Sequence, residues 1–138
     1  MRVFLDANVL FSAAKSDGAV RELLRLLRVA GHECWIDDYV VVEAYRNLKA
    51  KGPEALSVLD SLVASCRRNP TQSSAAVAVR AEIDWLPEKD RPVLAAAIRL
   101  RCAVLVTGDR THFGSGYGRV FAGVMIHSPR SLAEALFP

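Results

Sequence analysis

At 138 residues, 51% of them hydrophobic, the chain fits a single domain with a sizeable core, and no second domain is expected. Its 18 Lys+Arg against 15 Asp+Glu leave a net charge of +3, which permits a polyanionic partner but is too mild to require one. Cys34, Cys66 and Cys102 are odd in number and irregularly spaced, which argues against a disulfide framework or a CxxC metal knuckle. No apolar run approaches a membrane span and the N-terminus lacks a signal-peptide core, so a soluble cytoplasmic protein without membrane contact is expected.

Residues 2–5 read as a short buried strand, after which Asp6-Ala7-Asn8 hands over to an apolar helical segment, 9–14. Ser16-Asp17-Gly18 interrupts it. Val20, Leu23, Leu24 and Leu27 then share one helical face and Arg21, Arg25 and Arg28 another, in a helix ending at Gly31. A second strand is expected over 34–36. Asp37 or Asp38 caps a third helix running through Glu43 to about Lys49, stopped by Lys51-Gly52-Pro53, and a fourth helix covers 54–65. A short extended piece within 66–74 and a small helix over 75–82 follow.

Asp90 opens the clearest helix, 91–101, with Pro92 tolerated in its first turn. The best strand is 103–106. The loop Gly114-Ser115-Gly116-Tyr117-Gly118 precedes a last strand over 124–127, and Pro129 starts a terminal helix ending near Leu136. Strands alternating with helices imply a single-domain α/β/α sandwich around a central parallel sheet.

Four acids then occupy telling places. Asp6 and Asp109 follow apolar strands, Glu43 lies one to two turns into the helix after the second strand, and Asp90 opens the helix leading to the strand before Asp109. In an open parallel sheet ligands bind beyond the carboxyl ends of the strands, so all four could share one crevice. Crowded carboxylates repel and need a cation; Mg²⁺ or Mn²⁺ suits oxygen ligands and phosphodiester chemistry. Each acid also has a plain alternative as a cap, a turn residue or a solvated side chain. Asn8 and Thr107 are near enough to orient an acid or a water.

These words, in this order, resemble the PIN-domain family and in particular its VapC-like toxin ribonucleases. The resemblance runs over nearly the whole chain. It rests on Leu5-Asp6-Ala7-Asn8-Val9-Leu10, Val42-Glu43-Ala44-Tyr45-Arg46-Asn47-Leu48, Asp90 before Pro92-Val93-Leu94-Ala95-Ala96-Ala97, and Val106-Thr107-Gly108-Asp109-Arg110. It implies a Mg²⁺- or Mn²⁺-dependent endoribonuclease, the toxin of a toxin–antitoxin pair, with Asp6, Glu43, Asp90 and Asp109 as metal ligands and Asn8 and Thr107 in support. It also implies an antitoxin partner and a homodimer. The final segment departs from the family pattern, because many members carry a further acid just before the phenylalanine and this chain has His112 before Phe113.

Arg46, Lys49, Arg91 and Arg110 are candidates for RNA contact because they neighbour the acids in sequence, whereas the Arg21, Arg25 and Arg28 stripe reads as a solvated face. Tyr45, Phe113 and Tyr117 could stack on bases but are more readily core or loop anchors. The glycines of 114–118 lack a P-loop ending and read as a flexible loop; His112 is the one histidine near the site. Two rivals stand beside the ribonuclease: a haloacid-dehalogenase-like phosphohydrolase, which Asn8 disfavours, and a catalytically silent RNA- or protein-binding module of the same fold.

Overall fold

The computed structural model describes residues 1–68 and 80–138. Its six strands, β1 (Arg2–Leu5), β2 (Glu33–Ile36), β3 (Arg67–Arg68), β4 (Val104–Val106), β5 (Val120–Phe121) and β6 (Val124–His127), form one sheet in the order β3-β2-β1-β4-β6-β5. All neighbours pair in parallel except β5, which runs antiparallel to β6 at the edge. That edge strand is absent from the expectation of a parallel sheet, because its signal is only two residues long. Ala122 and Gly123, both at positive φ (48° and 87°), make the tight turn that returns β5 into β6.

The strands are buried because their runs are continuously apolar. Val3, Phe4 and Leu5 of β1, and Leu105 and Val106 of β4, expose nothing, as expected where helices cover both sheet faces. The helices are α1 (Ala7–Lys15), α2 (Ala19–Val29), α3 (Asp38–Lys51), α4 (Leu56–Ser65), α5 (Arg80–Ile83), α6 (Arg91–Arg99), α7 (Arg110–Phe113) and α8 (Pro129–Leu136). α1 packs against α2, α3 and α4, while α8 joins α2 and β6. Of the elements expected over 66–82, β3 and α5 are seen, and the remainder of both falls at 69–79, outside the described residues. Among the described residues no helix is long and apolar enough to cross a membrane.

Connectivity places the site. The chain leaves β1 toward β2 and β3 on one side, then returns to its other side as β4, so a crevice opens between the carboxyl ends of β1 and β4. Asp6 follows β1 directly and Thr107 follows β4, where Asp6 N–H donates to the Val106 carbonyl at 3.0 Å.

The glycine-rich segment differs from the flexible loop its composition suggested. Trp85 stacks on Phe121 at 4.9 Å and meets Phe113 edge-on at 6.3 Å, and Gly116 lies against that indole so closely that a Cβ there would stand 2.6 Å from Trp85. Tyr117 donates its hydroxyl to the Thr107 carbonyl at 2.8 Å, and Gly118 N–H bonds the Ile126 carbonyl at 2.8 Å. An apolar wall and two hydrogen bonds thus brace the segment that directly follows Asp109 and His112.

Candidate metal centre

Asp6 is buried where β1 gives way to α1, and three hydrogen bonds hold its carboxylate while leaving it acceptor capacity. Oδ1 accepts from Ala7 N–H at 2.7 Å, while Oδ2 accepts from the Thr107 hydroxyl at 2.7 Å and the Asn8 amide at 3.2 Å. Burial pushes its pKa up to about 6; the bonds from Thr107 and Ala7 pull it down, and the charges of Glu43 and Asp90 add to the rise. Asn8 works in two directions, since its Oδ1 accepts from Gly108 N–H at 2.8 Å while its amide also reaches the Thr107 hydroxyl at 3.3 Å. Asn8 and Thr107 therefore tie the first acid to the loop of the fourth.

Asp90 is at the start of α6 but does not cap it: no backbone N–H of the helix is bonded to its side chain. Its carboxylate is left for the crevice, where burial raises its pKa against the opposing pull of His112 and Lys89. Asp109 divides its oxygens. Oδ1 accepts from His112 N–H at 3.1 Å and caps α7, while Oδ2 lies 3.0 Å from His112 Nδ1. The same Nδ1 is 2.8 Å from Asp90 Oδ2.

Asp90, Asp109 and His112 thus form a group whose ligand atoms lie within 4.8 Å of one another, among the described residues the one cluster able to hold a metal ion. Asp90 Oδ2 and His112 Nδ1 are sealed from solvent, yet neither is in a hydrogen bond, because the short approach between them lacks hydrogen-bond direction. Carboxylates with an imidazole, two of their atoms buried and unpartnered, fit a divalent cation. His112 is the residue whose part the sequence understated. Its signal was the spacing Asp109-Arg110-Thr111-His112, which one helical turn folds onto the same side.

Glu43 and Asp6 stand outside that tight group but within its field. Glu43 and Asp90 both act on Asp6, and all three raise the pKa of Tyr39 after burial, its first cause. Glu43 lines an open groove of about 370 Å³ on α3 with Asp38, Tyr39, Val42 and Arg46. Tyr39 and Val42 are exposed there, apolar surface beside the acids that sequence reading passed over because neither interrupts the helical pattern.

The basic candidates separate by what they touch. Arg46 lies in the Glu43 groove, and Lys49 and Arg110 are exposed. Arg91 instead donates to the Leu86 carbonyl at 2.9 Å and the Asp84 carbonyl at 3.2 Å, pinning the segment before α6. Of the arginine stripe on α2, Arg21 caps the end of α1 through the Ala13 and Ala14 carbonyls, and Arg25 pairs with Glu22. Among the aromatic candidates, Phe113 is fully buried, Tyr117 is held by Thr107, and Tyr45 bonds Asp60.

A family model described as PIN domain matches residues 2–111. In shape, the chain is similar to a chain of VapBC2 from Rickettsia felis, solved bound to a DNA fragment from the promoter. That match has a TM-score of 0.69 at 17% identity over 93% of this chain and 98% of that one. A chain of DNA-bound VapBC from Salmonella typhimurium gives 0.68 at 21% identity, covering 94% and 98%. VapC20 from Mycobacterium tuberculosis, a toxin that cleaves the sarcin-ricin loop, gives 0.60 at 12% identity, covering 86% and 98%. At such identities the likeness establishes the fold. No curated protein matches the sequence.

Proposed function

The chain belongs to the PIN-domain family, and from that membership we propose that it is a metal-dependent endoribonuclease, the toxin of a toxin–antitoxin pair. The single observation that supports this most is electrostatic: the charges of Glu43 and Asp90, from two other elements, both bear on the buried Asp6 at the β1/β4 switch point. Acids gathered there without a cation would repel.

In this reading Asp6, Glu43, Asp90 and Asp109 hold Mg²⁺ or Mn²⁺, and Asn8 and Thr107 orient Asp6 and the Gly108 backbone. When bound, the cation supplies Lewis-acid stabilisation of charge developing on the phosphodiester and lowers the pKa of the attacking water. The residues do the positioning. Thr107 and Ala7 N–H fix the Asp6 carboxylate, and Arg46, Lys49 and Arg110 offer positive charge for RNA phosphates around the acids. Arg91 acts mainly on the loop before α6.

An antitoxin covering this crevice is the proposed partner, supported by the VapBC complexes among the similar structures, and the toxin is proposed to be a homodimer in the cytoplasm. The haloacid-dehalogenase-like alternative loses its basis with the family assignment, because Asn8 stands where that chemistry needs a second acid and is occupied with Gly108 and Asp6. The silent-module alternative meets the same experiment as the proposal. RNA is incubated with the protein in Mn²⁺ or Mg²⁺, with EDTA and Asp6→Asn as controls. Cleavage that needs the metal and disappears in Asp6→Asn is expected; cleavage surviving the substitution, or RNA binding without cleavage under either metal, overturns the reading.

A further inference from the structure

We propose that His112 is itself a ligand of the metal centre, joining Asp90 and Asp109 beside Asp6 and Glu43, so that the four acids and the imidazole form a mixed oxygen and nitrogen site that takes Mn²⁺ in preference to Mg²⁺. The proposal deepens the metal-dependent reading and rests on it.

Position is the first argument. His112 Nδ1 stands 2.8 Å from Asp90 Oδ2 and 3.0 Å from Asp109 Oδ2. Two donors at about 2.1 Å from one ion and at right angles to each other stand about 3 Å apart, the edge of an octahedron. The approaches are those of neighbouring ligands, and Asp90 Oδ2 and His112 Nδ1 make no hydrogen bond although neither can reach water. Two buried polar atoms this close without a hydrogen bond between them need a positive charge to share, and a cation held by both supplies it.

Rigidity is the second. His112 N–H is bonded to Asp109 Oδ1, so the histidine and the acid are fixed by the same helical turn. Phe113, next in sequence, is fully buried and meets Trp85 edge-on, which locks the rotation of α7 and keeps the ring turned toward Asp90. Asp90 is free to serve because its carboxylate caps nothing.

Donor chemistry then sets the preference. Mg²⁺ binds oxygen ligands and keeps its waters, whereas imidazole nitrogen suits first-row transition ions. A neutral nitrogen in place of an acid also removes one negative charge from the site, which weakens a purely electrostatic hold on Mg²⁺ more than a bond with covalent character.

The test uses the full chain loaded with Mn²⁺ or Mg²⁺ alone. Pulsed electron paramagnetic resonance of the Mn²⁺ form is expected to show a directly bound ¹⁴N that changes to ¹⁵N on histidine labelling and disappears in His112→Ala and His112→Asp. Calorimetric titration is expected to give at least about tenfold tighter binding of Mn²⁺ than Mg²⁺, a ratio that narrows several-fold in His112→Asp. Circular dichroism confirms that the variants remain folded. A wild-type Mn²⁺ form without bound nitrogen, or a Mn²⁺ to Mg²⁺ ratio unchanged in both variants while Asp90→Asn abolishes binding, overturns the role of His112 and leaves the metal site standing. A wild-type chain that binds neither ion overturns the metal-dependent reading as well.

Discussion

The Thr107 hydroxyl donates to Asp6 Oδ2 at 2.7 Å, joining two residues 101 positions apart in the chain. The same oxygen of Thr107 accepts from Asp109 N–H at 3.2 Å, so one fully buried hydroxyl serves the first and the last of the four acids. Thr107→Val keeps the shape and deletes the hydroxyl. It leaves Asp109 N–H and Asp6 Oδ2 short of a partner, a loss of about 1–3 kcal/mol in urea denaturation. Carbon NMR titration is expected to place the Asp6 pKa higher than in wild type, because the lost bond had favoured the ionised form; Thr107→Ser is expected to restore both values.

Stability of the metal-free protein should fall as pH rises from about 4 to 6. Asp6 has its pKa raised from 3.8 to about 6, so the folded state holds this proton more tightly than the unfolded chain does. The associated stability is present below the unfolded pKa and is lost as pH rises through the folded one, amounting to as much as ~3 kcal/mol. Asp6→Asn removes the penalty but weakens the acceptor set at Ala7 and Thr107, for a net gain of about 1–2 kcal/mol at pH 7 in EDTA. A flat profile in wild type, measured by thermal unfolding across that range, would count against a buried ionisable Asp6.

Added Mn²⁺ should raise Tm more at pH 7 than at pH 5, because a metal ligand must be deprotonated and Asp6 gives up its proton only between them. Differential scanning calorimetry at the two pH values reads this directly.

Gly116 permits no side chain. A Cβ would approach Trp85 to 2.6 Å and Ile126 to 3.2 Å, so Gly116→Ala must displace the indole that stacks on Phe121. The expected cost is about 1–3 kcal/mol. Indole fluorescence should shift at the same time, since the environment of Trp85 changes; Ser115→Ala, at an exposed neighbour, should do neither.

Arg46 and Arg91 looked equivalent as RNA contacts and should behave differently. Arg46→Ala is expected to lower RNA affinity while leaving stability unchanged, and to reduce the salt slope of binding by about 1. Arg91→Ala removes the bonds to the Leu86 and Asp84 carbonyls and is expected to cost about 1–2 kcal/mol in stability. Filter binding at several salt concentrations, paired with urea denaturation, separates the two.

Local physics made most of the fold legible. The strands over 2–5 and 124–127 and the helix from Pro129 to Leu136 agree with their elements, because continuous apolar runs, helical periodicity and a proline in the first helical turn are properties of neighbouring residues. The helix after Asp90 ends earlier than expected, at Arg99, with Arg101 at φ 55° turning the chain toward β4. β5 and the bracing of Gly116 were not legible. A two-residue edge strand has too little pattern to show, and nothing near Gly116 in sequence names Trp85 as its neighbour.

By itself the sequence determined which residues were candidates for the chemistry: three acids at strand ends or a helix start and Glu43 within a helix, with Asn8 and Thr107 beside two of them. Their assignment needed the tertiary structure. Asp6 and Asp109 cap helices while also facing the crevice, Asp90 was a plausible cap that caps nothing, and His112 was a weak candidate that stands against both Asp90 and Asp109. Capping is decided by residues one to three positions away, but the meeting of Asp90, Asp109 and His112 depends on which strands lie side by side and which way α7 is turned by its buried Phe113. Those are long-range packing choices, and no local pattern encodes them.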